Sequence, residues 1–212
     1  MPLTRKQLQS TYRRAKRQLE SASSITKTKG FKSMSRVAAL GNADAMVWVA
    51  GSYDQGIGTK KNPQKAFQWY QCAAFMGQPD GVYNLGVCYS RGFGTRRDDG
   101  FAFHWFLKAS KLKVREAIFS AGISLYNGYG VRADRAAGVR YFRKAARLGY
   151  APAQFWLGRL HELGNSVRRD SSEALRWYKR ASRSDRNAVR ALRRLKDTQE
   201  SRGHRRRLRK HR

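Results

Sequence analysis

The chain has 212 residues with a 41% apolar and a 12% aromatic share, too rich in core-forming side chains for a disordered polymer. Forty-five Lys and Arg against fourteen Asp and Glu give a formal charge of +31, far above the magnitude of about 2–8 that keeps a small domain soluble, so the natural reading is an anionic partner. No run of about 18 apolar residues is present, so no membrane-spanning helix is expected.

Residues 1–30 read as a basic helix and linker. Thr4 and Gln7 have the spacing of a capping box, and Leu8, Tyr12, Ala15 and Leu19 fall on one helical face. Arg5, Lys6, Arg13, Arg14, Lys16 and Arg17 cover much of the rest. No apolar stretch follows these charges, so no secretory signal is read and a cytoplasmic location is expected. The alternative is import into the mitochondrial matrix, because Glu20 is the one acid before Asp44. Residues 31–42 read as a half-repeat cap, since Phe31 and Ala38-Ala39-Leu40-Gly41 match the end of a helix seen again downstream.

From residue 43 the chain repeats. Gly56, Gly92, Gly128 and Gly164 are spaced 36 residues apart, and so are Asn62, Asp98, Asp134 and Asp170. Ala73, Ala109, Ala145 and Ala181 keep the same step, as do the doublets Trp69-Tyr70, Trp105-Phe106, Tyr141-Phe142 and Trp177-Tyr178. Four repeats therefore fill 43–186, each a helix, a Gly-x-Gly turn and a second helix capped by the Asn or Asp column. Asn62-Pro63 puts proline at a first helical position, and Asp170 with Glu173 repeats the capping-box spacing. Small residues such as Ala73 and Ala74 allow close helix approach. Such pairs cannot bury their apolar faces alone, so they stack. Residues 187–200 read as a capping helix on Ala188, Ala191, Leu192 and Leu195, and 201–212 as a basic disordered tail.

The string Leu85-Gly86-x-x-Tyr89-x-x-Gly92-x-Gly94-x-x-x-Asp98, followed by Ala102-x-x-Trp105-Phe106-x-Lys108-Ala109, resembles the Sel-1-like repeat, a relative of the tetratricopeptide repeat. The fourth repeat departs from it, with Ser166 for the second Gly and His161 for the Tyr. The resemblance implies an all-α fold, a right-handed α-solenoid of stacked helix pairs with flanking basic helices. It also implies that first helices line a concave groove, which makes Trp48, Tyr83, Asn84, Phe119, Trp156 and Arg159 candidates for holding a protein partner. Aromatics beside amide and guanidinium groups suit an extended peptide. The competing use of the same rings is packing between repeats, and a third is stacking on unpaired bases.

No catalytic constellation emerges. Gly56-Ile57-Gly58-Thr59-Lys60-Lys61 lacks the spacing of a phosphate-binding loop and recurs as Gly92-Phe93-Gly94-Thr95-Arg96-Arg97, which marks it as the repeat turn. His161-Glu162 begins a zincin-like string, but Asn165 stands where a second ligand belongs. His104 reads as a half-buried packing histidine. Two cysteines are too few for a disulfide framework, and Cys72 and Cys88 read as buried free thiols of a reducing compartment. The expectation is a non-enzyme with neither cofactor nor metal, and no small-molecule substrate.

The charge is unevenly placed. Residues 1–42 hold ten basic and one acidic residue, net +9, and residues 187–212 hold eleven and two, again +9. Lys60, Lys61, Arg96, Arg97, Arg132, Arg168 and Arg169 occupy the turn between the paired helices. Arg140, Arg143, Lys144 and Arg147 form a stripe that Arg176, Lys179, Arg180 and Arg183 repeat 36 residues on. The tail adds Arg202, Arg205, Arg206, Arg207, Arg209, Lys210 and Arg212. The function expected from this pattern is an interaction scaffold whose basic surfaces grip an acidic protein. The alternatives are a nucleic-acid-binding protein associated with ribonucleoprotein and a peripheral binder of anionic membranes.

Overall fold

A computed structural model describes the backbone of residues 4–210 and the side chains of residues 4–198. Among the described residues there are eleven helices and no strand. They gather into two compact bodies, Met1–Ala117 and Ile118–Arg212.

In the N-terminal body, α1 (Arg5–Leu19) starts with the expected capping box. Thr4 Oγ1 accepts from the Gln7 N–H at 3.3 Å, and Gln7 Oε1 accepts from the Thr4 N–H at 2.9 Å. The second helix corrects the sequence reading. Instead of a linker to residue 30 and a half-repeat from 31, α2 runs Ser24–Ala39 and packs on α1, so the cap is a full helix pair. Ser23 supplies the N-cap, and Gly30 makes the crossing close. A Cβ at Gly30 would lie 2.8 Å from Gln18 Cβ and 2.9 Å from the Leu19 nitrogen.

The repeats follow as α3 (Ala43–Gln55) with α4 (Pro63–Phe75), α5 (Pro79–Arg91) with α6 (Asp99–Lys111), α7 (Arg115–Asn127) with α8 (Arg135–Arg147), and α9 (Ala151–Leu163) with α10 (Ser171–Ala181). The Asn/Asp column caps each second helix. Asn62, Asp98, Asp134 and Asp170 accept from backbone N–H groups three residues on, at 2.9, 2.9, 2.8 and 3.0 Å. Those backbone bonds hold the Asp170 carboxyl below its ordinary range. The box at Asp170 is only half made, because Glu173 turns to Arg176 at 2.6 Å instead of reaching back.

Each turn closes with the same backbone bond. Asn62, Asp98, Asp134 and Asp170 donate their N–H to the carbonyls of Tyr53, Tyr89, Leu125 and His161 at 2.8–2.9 Å. The fourth turn keeps this closure although Ser166 replaces glycine. Ser166 takes φ +60°, and its hydroxyl lies 3.3 Å from the Tyr126 hydroxyl.

Packing explains the remaining columns. The second ring of each doublet lies on a small residue of its own first helix. A Cβ at Gly86, Gly122 or Gly158 would come within 2.8, 2.9 and 2.5 Å of Phe106, Phe142 and Tyr178. Between repeats, a Cβ at Gly81 would lie 2.6 Å from the Ala73 Cβ. Phe31 meets Tyr53 and Phe67 meets Tyr89 edge to face at 5.2 and 5.5 Å, one contact made twice at the repeat step. Trp105, 8% exposed, packs with Ala74, Val82 and Leu85.

The C-terminal end differs from expectation. The capping helix does not stop near Glu200: α11 runs Arg186–Lys210. Ala188 and Leu195 are buried, Leu195 against Ala174 and Tyr178. Beyond them the sequence lacks proline and is dominated by Arg, Lys, Leu, Gln and Glu, good helix formers, against Gly203 and the weaker Asp197, Thr198, Ser201 and His204. A helix needs no core of its own to continue where propensity favours it. The side chains of Arg202, Arg205, Arg206, Arg207, Arg209 and Lys210, and Arg212 as a whole, lie outside the described residues.

Candidate interaction surfaces

Five of the six groove candidates are half-buried, and Arg159 is exposed. Trp48 on α3 has Lys16 Nζ 5.2 Å above its ring and borders a cavity of about 270 Å³ with Leu19, Val47, Ile57 and Tyr70. Tyr83 lies 5.9 Å from Phe106, and Asn84 is its helical neighbour on α5. In the C-terminal body, Phe119 sits 5.4 Å from both Phe142 and Tyr150, while Trp156 lies 5.9 Å from Phe142 and 6.4 Å from Tyr126. Phe119 and Trp156 thus share one buried neighbour, and Arg159 lies 5.7 Å over the Trp156 ring. These rings carry packing as well as any contact they offer to solvent.

The eight stripe residues, Arg140, Arg143, Lys144 and Arg147 on α8 with Arg176, Lys179 and Arg180 on α10 and Arg183 just beyond it, are all exposed. Among the described residues only Arg176 of these eight has an ion-pair partner, Glu173, while Arg180 lies 4.8 Å over the Trp177 ring. The turn cations Lys60, Lys61, Arg96, Arg97, Arg132, Arg168 and Arg169 are exposed too, with Arg97 paired to Asp99 at 2.8 Å. On α1, Arg5, Lys6, Gln9, Ser10, Arg13 and Arg17 line an open cleft of about 850 Å³.

Two smaller expectations change. Cys88 is buried, and burial together with nearby Asp54 pushes its thiol up to about 12, so it stays neutral near pH 7. Cys72, by contrast, is exposed on the outer side of α4. His104 is exposed rather than half-buried, with its ring edge-on to Trp105 at 5.6 Å.

One feature escaped sequence reading. A cleft of about 300 Å³ lies between α9 and α11, lined by Phe155, Arg159, Tyr178, Asn187, Arg190, Ala191 and Arg194. At its edge Glu162 accepts the Tyr178 hydroxyl and an Arg194 N–H, each at 2.6 Å. Burial first, then this bond to Glu162, raises the Tyr178 pKa well above the usual phenol value. The available signal was the spacing of Asn187, Arg190 and Arg194, three and then four residues apart, on one face of a helix outside the repeats.

Paired helices of constant length, closed by one recurring turn and stacked through small residues, define a helical-repeat interaction protein of the α-solenoid class. The Sel1 repeat family model matches residues 43–77, 79–114, 115–150 and 151–185. The chain belongs to the Sel1 repeat family, whose members serve as protein-interaction scaffolds.

Among solved structures it is similar to a Sel1 repeat protein from Oxalobacter formigenes, at 26% identity and a TM-score of 0.81, covering 90% of this chain and 80% of that one. It is also similar to c5321, a protective antigen of uropathogenic Escherichia coli with an SLR fold, at 30% identity and a TM-score of 0.71. There the match covers 76% of this chain but 35% of that longer one. The immunity protein Pa5087 from Pseudomonas aeruginosa is 25% identical, with a TM-score of 0.57 over 85% of this chain and 67% of its own. No curated protein sequence matches the chain.

Proposed function

We propose that this protein is a non-catalytic scaffold that holds an acidic protein partner on its basic surfaces, with the first helices offering a groove for an extended segment. The observation that carries the reading is the unpaired stripe. Seven of the eight exposed cations named on and beside α8 and α10 lack a carboxylate partner among the described residues. A face kept only for solvation is ordinarily interspersed with acids. Here the repulsion is left standing, and an acidic partner relieves it.

The test is affinity capture at low salt, with and without nuclease, using the intact chain and a variant in which Arg140, Arg143, Arg176 and Arg180 are glutamine. A partner that survives nuclease, is lost with the variant and elutes with salt is the expected result. Capture that disappears on nuclease treatment would refute it in favour of nucleic acid.

That second reading draws on the basic face of α1, where Arg5, Lys6, Arg13 and Arg17 line the open cleft, and on the +9 carried by residues 187–212. Its signature is a salt slope of about 0.7–0.9 in log affinity for each phosphate neutralised.

A further inference from the structure

We infer that the cleft between α9 and α11 binds a carboxylate-bearing segment of an acidic protein, an assignment that rests on the scaffold reading above. α9 contributes Phe155 and Arg159, α10 contributes Tyr178, and α11 contributes Asn187, Arg190 and Arg194. Three arginines therefore line a space of about 300 Å³, Arg159 with its guanidinium resting over the Trp156 ring at 5.7 Å.

The carboxylate at the edge, Glu162, has both oxygens engaged, one by Arg194 and one by the Tyr178 hydroxyl. It offsets one of the three positive charges. Among the described residues Arg159 and Arg190 have no ion-pair partner.

An incoming carboxylate suits what is left over. A guanidinium is a planar fork matched to two carboxylate oxygens, and its bonds to an anion are among the stronger hydrogen bonds available. The Asn187 amide both donates and accepts, as a peptide backbone requires. Phe155, 5.7 Å from the Tyr178 ring, and Ala191 form an apolar wall. Such a wall excludes water from one side and strengthens ion pairs beside it.

Glu162 also distinguishes a peptide from a nucleic acid. A continuous phosphate backbone would run one of its charges past this fixed carboxylate. A peptide carries its charges on separate side chains and can place neutral backbone there instead.

The experiment measures binding of a fluorescent tetraglutamate peptide to the full chain by anisotropy, at about 150 mM salt so that diffuse attraction is screened. Replacing Arg159 and Arg190 with glutamine should weaken binding about tenfold or more. Removing the same charge from α8, with Arg140→Gln and Arg143→Gln, should change it less than about threefold. Glu162→Gln keeps an acceptor for the Tyr178 hydroxyl while removing the competing charge, so binding should tighten about threefold or more, a gain that misfolding does not produce.

Equal losses in the two arginine pairs, or no gain from Glu162→Gln, would overturn the assignment. So would a single-stranded oligothymidine that responds to these substitutions when the peptide does not. If the peptide pattern fails while nuclease-resistant capture persists, the cleft assignment falls and the scaffold reading stands. If capture fails while the pattern holds, the reverse is true.

Discussion

α4 and α10 occupy the same place in the first and fourth repeats, and their inner faces are nearly interchangeable. Asn62 and Asp170 cap them, Ala66 and Ala174 are buried, Tyr70 and Tyr178 carry the second ring of the doublet, and Ala73 and Ala181 are fully buried. Their outer faces share almost nothing. α4 shows Gln64, Lys65, Gln68, Cys72 and a 70% exposed Phe75, whereas α10 shows Arg176, Lys179 and Arg180. The inner columns are dictated by contacts at van der Waals distance and cannot drift. The outer positions meet solvent and a few neighbours, Phe75 at the edge of Trp105, Arg176 on Glu173 and Arg180 over Trp177, so their chemistry is free to differ from one repeat to the next.

That division can be broken by substitution, and the largest effect is expected at the core. Trp105→Ala empties a site with 8% exposure and should lower stability by about 3–5 kcal/mol in urea unfolding. An unchanged midpoint would show that the inner columns are not what holds the repeats. Gly158→Ala should cost about 1–3 kcal/mol by overpacking, because its Cβ would meet Tyr178 at 2.5 Å. Asp98→Ala removes the α6 cap, whose 2.9 Å bond to the Phe101 N–H is lost, and should cost about 1 kcal/mol by thermal melting. Smallest of all, Arg143→Gln with Lys144→Gln should move stability by less than about 0.5 kcal/mol, while weakening capture of an acidic partner. A stability loss comparable to that of Asp98→Ala would place part of the fold on the outer face and erase the distinction.

The same distinction explains what could be read in advance. The repeat step, the caps and the doublets were legible because each is stated four times, and the contacts they serve lie within one or two helices. The second glycine of each turn was read only as a turn residue. Gly58 and Gly94 are also contact points, pressed against the carbonyls of Lys27 and Pro63 on preceding helices. A partner some thirty residues upstream leaves no local trace. The N-terminal pair was half missed because α2 lacks the doublet that marks a second helix. The α9–α11 cleft was missed because Asn187, Arg190 and Arg194 belong to a segment that occurs once and has no column to be compared with. Among the groove candidates, the rings were found and their packing role was not separable from contact, since a half-buried aromatic satisfies both patterns.

The contact at Gly94 fixes more than an angle. Between Gly92 and Asp98 the chain must close onto the Tyr89 carbonyl while Gly94 rests on the first turn of α4. One added residue would break both attachments. The other turn of the repeat is unburdened: a Cβ at Gly41, Gly77 or Gly149 would meet nothing within 4 Å. The first turn is therefore pinned to a preceding helix, whereas the second closes only onto the helix it ends, Gln78 donating to the Ala73 carbonyl at 3.0 Å. An epitope tag or a protease site inserted at Gly77 should disturb the stack less than the same insert placed between Gly92 and Asp98.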